Sequence, residues 1–101
     1  MSVVGHITEK AFQQQIIDLA RLCGWHHIYH TWDSRHSAAG FFDLILVRER
    51  IVAIEIKREG GRLSKAQEDW GRAWINAGGE WYWFKPSEWE RIVEILQRGN
   101  R

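Results

Sequence analysis

Asp43, Glu55 and Lys57 put two carboxylates and an amine into a stretch that is otherwise almost wholly apolar. The stretch runs Phe42-Asp43-Leu44-Ile45-Leu46-Val47 and then Ile51-Val52-Ala53-Ile54-Glu55-Ile56-Lys57, with Arg48-Glu49-Arg50 between. Side chains alternate faces along a strand. A three-residue connection puts Val47 opposite Ile51, and Asp43 opposite Glu55. Asp43, Ile45, Val47, Ile51, Ala53, Glu55 and Lys57 then share one face. A two-residue connection would send Asp43 and Glu55 to opposite faces, and Arg50 is not the glycine that a three-residue loop prefers. In the first register two like charges meet across a strand pair, which repels and raises both pKa values when partly buried. Lys57 offsets one charge. A divalent cation would offset the rest, and hard carboxylate oxygens favour Mg²⁺, which keeps water and substrate phosphate in its shell. An ordinary salt-bridged strand end would use the same residue types, and a D-x(11)-E-x-K spacing alone is common.

The elements around this hairpin follow from pattern. Thr8 can cap a helix running to about Cys23, with Gly24 as its stop and Phe12, Ile16, Leu19, Ala20 and Cys23 as its apolar stripe. Trp25 to Trp32 reads as a strand, Asp33 to Gly40 as a polar loop. Phe42–Val47 and Ile51–Lys57 read as strands; both faces are apolar, so they are expected to be central and covered. Glu59 to Arg62 is a loop. Ser64 and Gln67 fit a capping box at the start of a second helix with Ala66, Trp70, Ala73, Trp74 and Ala77 at helical spacing, ended by Gly78-Gly79. Glu80 to Phe84 is a short aromatic strand. Ser87 and Glu90 suggest another capping box before a helix marked by Trp89, Ile92, Val93 and Leu96. The order is α-β-β-β-α-β-α, a mixed sheet with flanking helices.

Composition narrows the function classes. The chain has 101 residues and 12.0 kDa, which is one domain's worth, 1–101, with no room for a separate cofactor domain. Charge is nearly balanced, 14 Lys and Arg against 13 Asp and Glu, so nucleic-acid binding needs a local patch. No apolar run reaches a membrane span and no signal peptide is visible. One cysteine, Cys23, excludes a disulfide framework and a cysteine zinc cluster, and a reducing cytoplasm is the expected setting. Seven tryptophans are many for this length. Core filling accounts for them simply; base stacking and a Trp-rich interaction face are sharper readings.

Gly40-Phe41-Phe42-Asp43-Leu44-Ile45-Leu46-Val47, followed by Val52-Ala53-Ile54-Glu55-Ile56-Lys57-Arg58-Glu59-Gly60-Gly61-Arg62-Leu63-Ser64-Lys65-Ala66-Gln67, resembles the VRR-NUC branch of the PD-(D/E)xK nucleases. The likeness extends to Glu9, to the segment from His30 to Gly40, and to the ending from Trp81 to Trp89. Glu-x-Lys followed by Gly-x-Leu-Ser-x-x-Gln is specific for this branch. The sequence departs from the pattern at Phe42, where the family usually has proline. The resemblance implies a restriction-endonuclease-like α/β core. It implies Mg²⁺ or Mn²⁺ held by Asp43, Glu55 and the Ile56 carbonyl, with Glu9 a further acidic ligand. Lys57 would orient the attacking water and stabilise charge on the phosphate; a free-amine base would need strong desolvation. Gln67 would help place water or phosphate. Catalytic residues are thus Asp43, Glu55, Lys57 and Gln67.

The resemblance also implies hydrolysis of DNA, and stand-alone relatives of this kind, often from phages and mobile elements, suggest a homodimer acting on branched or Holliday-junction DNA. His30, Trp32, Ser34, Arg35, Ser37, Arg58, Arg62 and Lys65 are the candidate DNA contacts, Trp32 by stacking. Plainer roles stand beside these: Glu9 suits a helix N-terminus, Gln67 completes a capping box, and the arginines are loop charges. His26 and His27 point to opposite faces and share no site. A non-catalytic nucleic-acid-binding module with the same fold is the alternative.

Overall fold

The computed structural model describes residues 7–32 and 36–99. Helix α1, Glu9–Leu22, starts at Thr8, whose hydroxyl accepts the Ala11 N–H at 3.0 Å. Cys23 and Gly24 end it as the pattern predicts. Strand β1 is His27–His30, shorter at both ends than the expected Trp25–Trp32. Trp25 turns inward instead, fully buried, and its indole N–H donates to the Leu96 carbonyl at 2.8 Å. Strands β2, Leu44–Val47, and β3, Ile51–Ile56, form the central hairpin, β2 beginning two residues and β3 ending one residue inside the expected bounds. Helix α2 is Lys65–Asn76, strand β4 is Glu80–Phe84, and helix α3 is Trp89–Gln97. The Ser87–Glu90 box does not form. Pro86–Glu88 makes a 3-10 turn, Glu88 accepts the Lys85 N–H at 2.9 Å, and Ser87 binds Glu59 instead.

The sheet runs β1-β2-β3-β4 in space, antiparallel twice and then parallel. This is a small α/β fold with a mixed four-stranded sheet of restriction-endonuclease-like type. Val47 lies opposite Ile51 across a three-residue loop, so the register assumed from spacing is the one adopted.

One sheet face carries Leu44, Leu46, Val52, Ile54, Ile56 and Phe84, all buried against Phe12, Ile16 and Ala20 of α1 and Ile92, Ile95 and Leu96 of α3. The other face is covered by α2 at its β3–β4 end only. There α2 lies directly on the sheet because Gly71 has no side chain: a Cβ would stand 2.2 Å from the Trp81 ring. Toward β1 and the β2–β3 loop the same face is open. Tyr29 is 58% exposed, Ile51 49% and Val47 39%. The hairpin is central in the sheet, but the expectation that both its faces are covered fails here, because twelve residues of α2 reach over only part of the sheet. No helix among the described residues is long and apolar enough to cross a membrane.

Candidate active site

Asp43 sits where β2 enters the sheet. Its backbone N–H donates to the Ile54 carbonyl at 3.0 Å, and its carbonyl accepts the Thr31 N–H at 3.0 Å. Both neighbouring strands therefore hold its backbone. Its side chain crosses to β3, where Oδ2 accepts the Ile56 N–H at 2.7 Å. The preceding residue, Phe42, is fully buried and packs edge-on against Trp74 with ring centroids 5.1 Å apart. Its carbonyl accepts the Thr31 hydroxyl at 2.7 Å. Aromatic packing fixes the strand entry here, where proline would have fixed it by its ring.

Glu55 is the one buried charged residue among those described. Gln67 Nε2 donates to its Oε1 at 3.3 Å, and its Oε2 has no hydrogen-bond partner. Burial, and next the adjacent Asp43 carboxylate, push the Glu55 carboxyl up to about 9. Burial raises Asp43 too, while the Ile56 N–H and the contact with Glu55 pull it back. Two desolvated carboxyls thus share one site, which favours protonation of one of them when no cation is bound.

Gln67 has two jobs. Its Oε1 accepts the Ser64 N–H at 2.9 Å, and the Ser64 hydroxyl accepts the Gln67 N–H at 3.1 Å. The capping box is complete, and the remaining amide group reaches Glu55. Gly40 permits this approach. It has a positive φ of 81°, and a Cβ there would stand 2.4 Å from the Ala66 backbone. The loop before Asp43 therefore lies flat on the first turn of α2.

An open cleft of about 530 Å³ lies over these groups. Glu9, His30, Trp32, Ser37, Asp43, Ile56 and Gln67, all expected from the sequence, line it. Glu9 is close enough for its charge to raise the Asp43 pKa, and Lys57 close enough to lower that of both carboxyls. Lys57 does not itself line the cleft; its stem packs at Gly61. Arg58 lies on a separate shallow depression with Glu9, Arg62 is exposed, and Lys65 pairs with Asp69 at 3.5 Å on the α2 surface. Ser34 and Arg35 lie outside the described residues. Sequence reasoning missed Gln13 and Thr31. Gln13 stands one helical turn after Glu9 and its amide meets His30 Nε2 at 2.7 Å, a spacing that was available to find it.

The chain matches the VRR-NUC domain over residues 2–85. It belongs to the VRR-NUC family. That places it in the PD-(D/E)xK superfamily, makes it a nuclease-type domain, and implies DNA as substrate. No curated protein and no solved structure matches it. VRR-NUC nucleases generally use divalent metals. The donor set here suits one: two carboxylates, one with an unpartnered buried oxygen, are hard ligands with excess negative charge. Among the described residues no three His, Cys, Asp or Glu side chains form a ready-made metal cluster, and Glu9 stays at the rim, exposed.

Proposed function

We propose that this VRR-NUC domain, residues 1–101 taken as one unit, is a divalent-metal-dependent deoxyribonuclease that cuts branched DNA as a homodimer. The observation that carries this reading is the Glu55 Oε2 atom, buried beside Asp43 without a hydrogen-bond donor. A cation is the simplest partner for it. Mg²⁺ or Mn²⁺ would be held by Asp43, Glu55 and the Ile56 carbonyl, with Glu9 reaching in from the rim. When bound, the ion supplies a more acidic water and a polarised phosphate.

The chain's own residues do the rest. The Ile56 N–H holds the Asp43 carboxylate in one orientation. Gln67 orients Glu55 and keeps it from turning away. Lys57 acts as a fixed positive charge near the carboxylates and stabilises negative charge as the phosphate becomes pentacoordinate. His30 and Ser37 line the path of the DNA backbone. Arg58, Arg62 and Lys65, with Ser34 and Arg35, draw DNA toward the cleft; their attraction falls with salt. The open sheet face with Tyr29, Val47 and Ile51 supports pairing with a second copy, which would set two clefts against two strands.

The test is cleavage of a labelled panel of four-way junction, 5′ flap, 3′ flap, duplex and single strand, with Mg²⁺, Mn²⁺ or EDTA. Metal-dependent cutting, strongest on branched DNA and lost in Asp43→Ala and Lys57→Ala, is the expected result. Binding without cutting would make the domain a non-catalytic module.

A further inference from the structure

Trp32 follows Thr31, whose N–H and hydroxyl bond to Asp43 and Phe42. Its backbone position relative to the catalytic carboxylate is therefore fixed. Yet its side chain is 83% exposed, although tryptophan is a large apolar group. One neighbour steadies the indole: the His30 ring, with centroids 4.5 Å apart and planes at 37°. His30 is itself held by the Gln13 amide. Beside this pair lies a notch of about 410 Å³ lined by Thr8, Lys10, Ala11, Gln13, Gln14, His30 and Trp32. Lys10, Gln13, His30 and Trp32 line both the notch and the main cleft, so the two spaces adjoin.

We propose that this notch takes one unpaired nucleobase of the substrate strand, stacked on Trp32, so that the enzyme prefers DNA with an unpaired nucleotide next to the cut. The inference rests on the reading of the cleft as a DNA nuclease site and adds the strand state that it selects. A planar apolar surface with its face open to solvent is the partner an aromatic base requires. The His30 and Gln13 buttress holds that surface in place, which limits the ordering cost of binding. Beyond its bond to His30, Gln13 offers its second amide N–H and its carbonyl oxygen for a base edge, and Lys10 offers a cation for the adjoining phosphate. A base within a duplex has both faces covered by its neighbours and has none to give Trp32. Only a base that has left the stack, as at a flap, a junction or a frayed end, fits the notch.

The experiment compares wild type, Trp32→Ala, Trp32→Phe and Asp43→Ala. Cleavage kinetics with Mg²⁺ are measured on a 5′ flap, a single strand and a blunt duplex. Binding is read by fluorescence of 2-aminopurine placed at successive positions around the cut, using Asp43→Ala and Asp43→Ala/Trp32→Ala without metal. On flap and single strand, Trp32→Ala is expected to raise KM about ten-fold with kcat little changed, and Trp32→Phe to restore most of the loss. Quenching should centre on one position and vanish in the double variant. On the duplex the loss should be clearly smaller. The side chain is exposed, so unchanged melting of Trp32→Ala will exclude misfolding. Equal KM for wild type and Trp32→Ala, an equal loss on duplex, or a change confined to self-association would overturn the proposal. If no DNA is cut while Trp32-dependent quenching persists, the nuclease reading fails and the base site stands.

Discussion

Asp43 spends one carboxylate oxygen on the backbone N–H of Ile56, 2.7 Å away on the neighbouring strand. That bond divides the labour between two acids that sequence spacing makes equivalent. Burial raises both acids, but the Ile56 N–H pulls Asp43 part of the way back, and Glu55, buried and short of donors, is the one pushed up to about 9. Substituting the two therefore gives different outcomes. Asp43→Ala should reduce cleavage about 100-fold or more and loosen the β2–β3 junction. Glu55→Gln should abolish cleavage to a similar degree while leaving the fold intact or firmer. Single-turnover rates alongside thermal melting will separate the two cases.

The same imbalance sets a pH dependence. Folded Glu55 titrates near 9, whereas in the unfolded chain it titrates near 4.5. Between those values the folded protein holds a proton that the unfolded chain has released. Stability is therefore fullest below about pH 4.5 as far as this group is concerned, and is lost as pH rises toward 9. Metal-free protein should melt several degrees lower at about pH 8.5 than at about pH 5.5. Glu55→Gln should flatten that slope, and excess Mg²⁺ should restore the alkaline loss by binding the folded state. A slope that Glu55→Gln leaves unchanged would assign it to another group.

Arg50 ties together the end of the molecule opposite the cleft. Its guanidinium pairs with both oxygens of Glu80 at 2.7 and 2.8 Å, and donates to the carbonyls of Ile95 and Arg98 at 3.0 and 2.8 Å. It also stands 5.2 Å from the centre of the Trp25 ring. Arg50→Ala should cost about 2–4 kcal/mol in denaturant unfolding, since it removes the donor from the Ile95 carbonyl and the charged partner from Glu80, which keeps only the Tyr82 hydroxyl. The Arg50 hydrogen bonds pull Glu80 down to about 2. Its contribution is present above about pH 4.5 and is lost as pH falls toward 2, so the variant should also lose part of that acid sensitivity.

The exposed apolar face makes a prediction about assembly. Ile51→Glu and Val47→Arg place charges where Tyr29, Ile51 and Val47 now face solvent. Both variants should stay folded, within about 0.5 kcal/mol of wild type. If the homodimer uses this face, sedimentation will find monomers, and junction cleavage will fall while single-strand cleavage persists. Unchanged dimers would move the interface elsewhere.

The pairing of Asp43 with Glu55 was legible because it needs only a period of two and the length of one loop. The Ser64–Gln67 box was legible for the same reason: its two residues are three apart. Features that depend on long-range contact were not. Nothing near Gly71 announces that Trp81 will fill the space its missing side chain leaves. The strand expected to begin at Trp25 starts later because Leu96, far along the chain, takes the indole N–H. Ser87 had the right spacing for a cap, but Glu59 competes for it across the fold. How much of a sheet one short helix shields is likewise a property of the assembled layers, so Val47 and Ile51 could not be told from core residues by pattern.

Gln67 begins a helix and braces the buried acid Glu55 with one side chain. Fraying at this end of α2 therefore also breaks the contact with Glu55. When the first turn opens, the amide that caps the helix also lets go of Glu55, and the two carboxylates are free to rearrange. On the proposed function, the opening of this single helical turn, and not only the stability of the whole domain, would set how often the site is ready to work. Slow exchange of the amide hydrogens near Ser64 and Gln67 would mark the competent enzyme, and any ligand or substitution that tightens that turn acts on catalysis from outside the cleft.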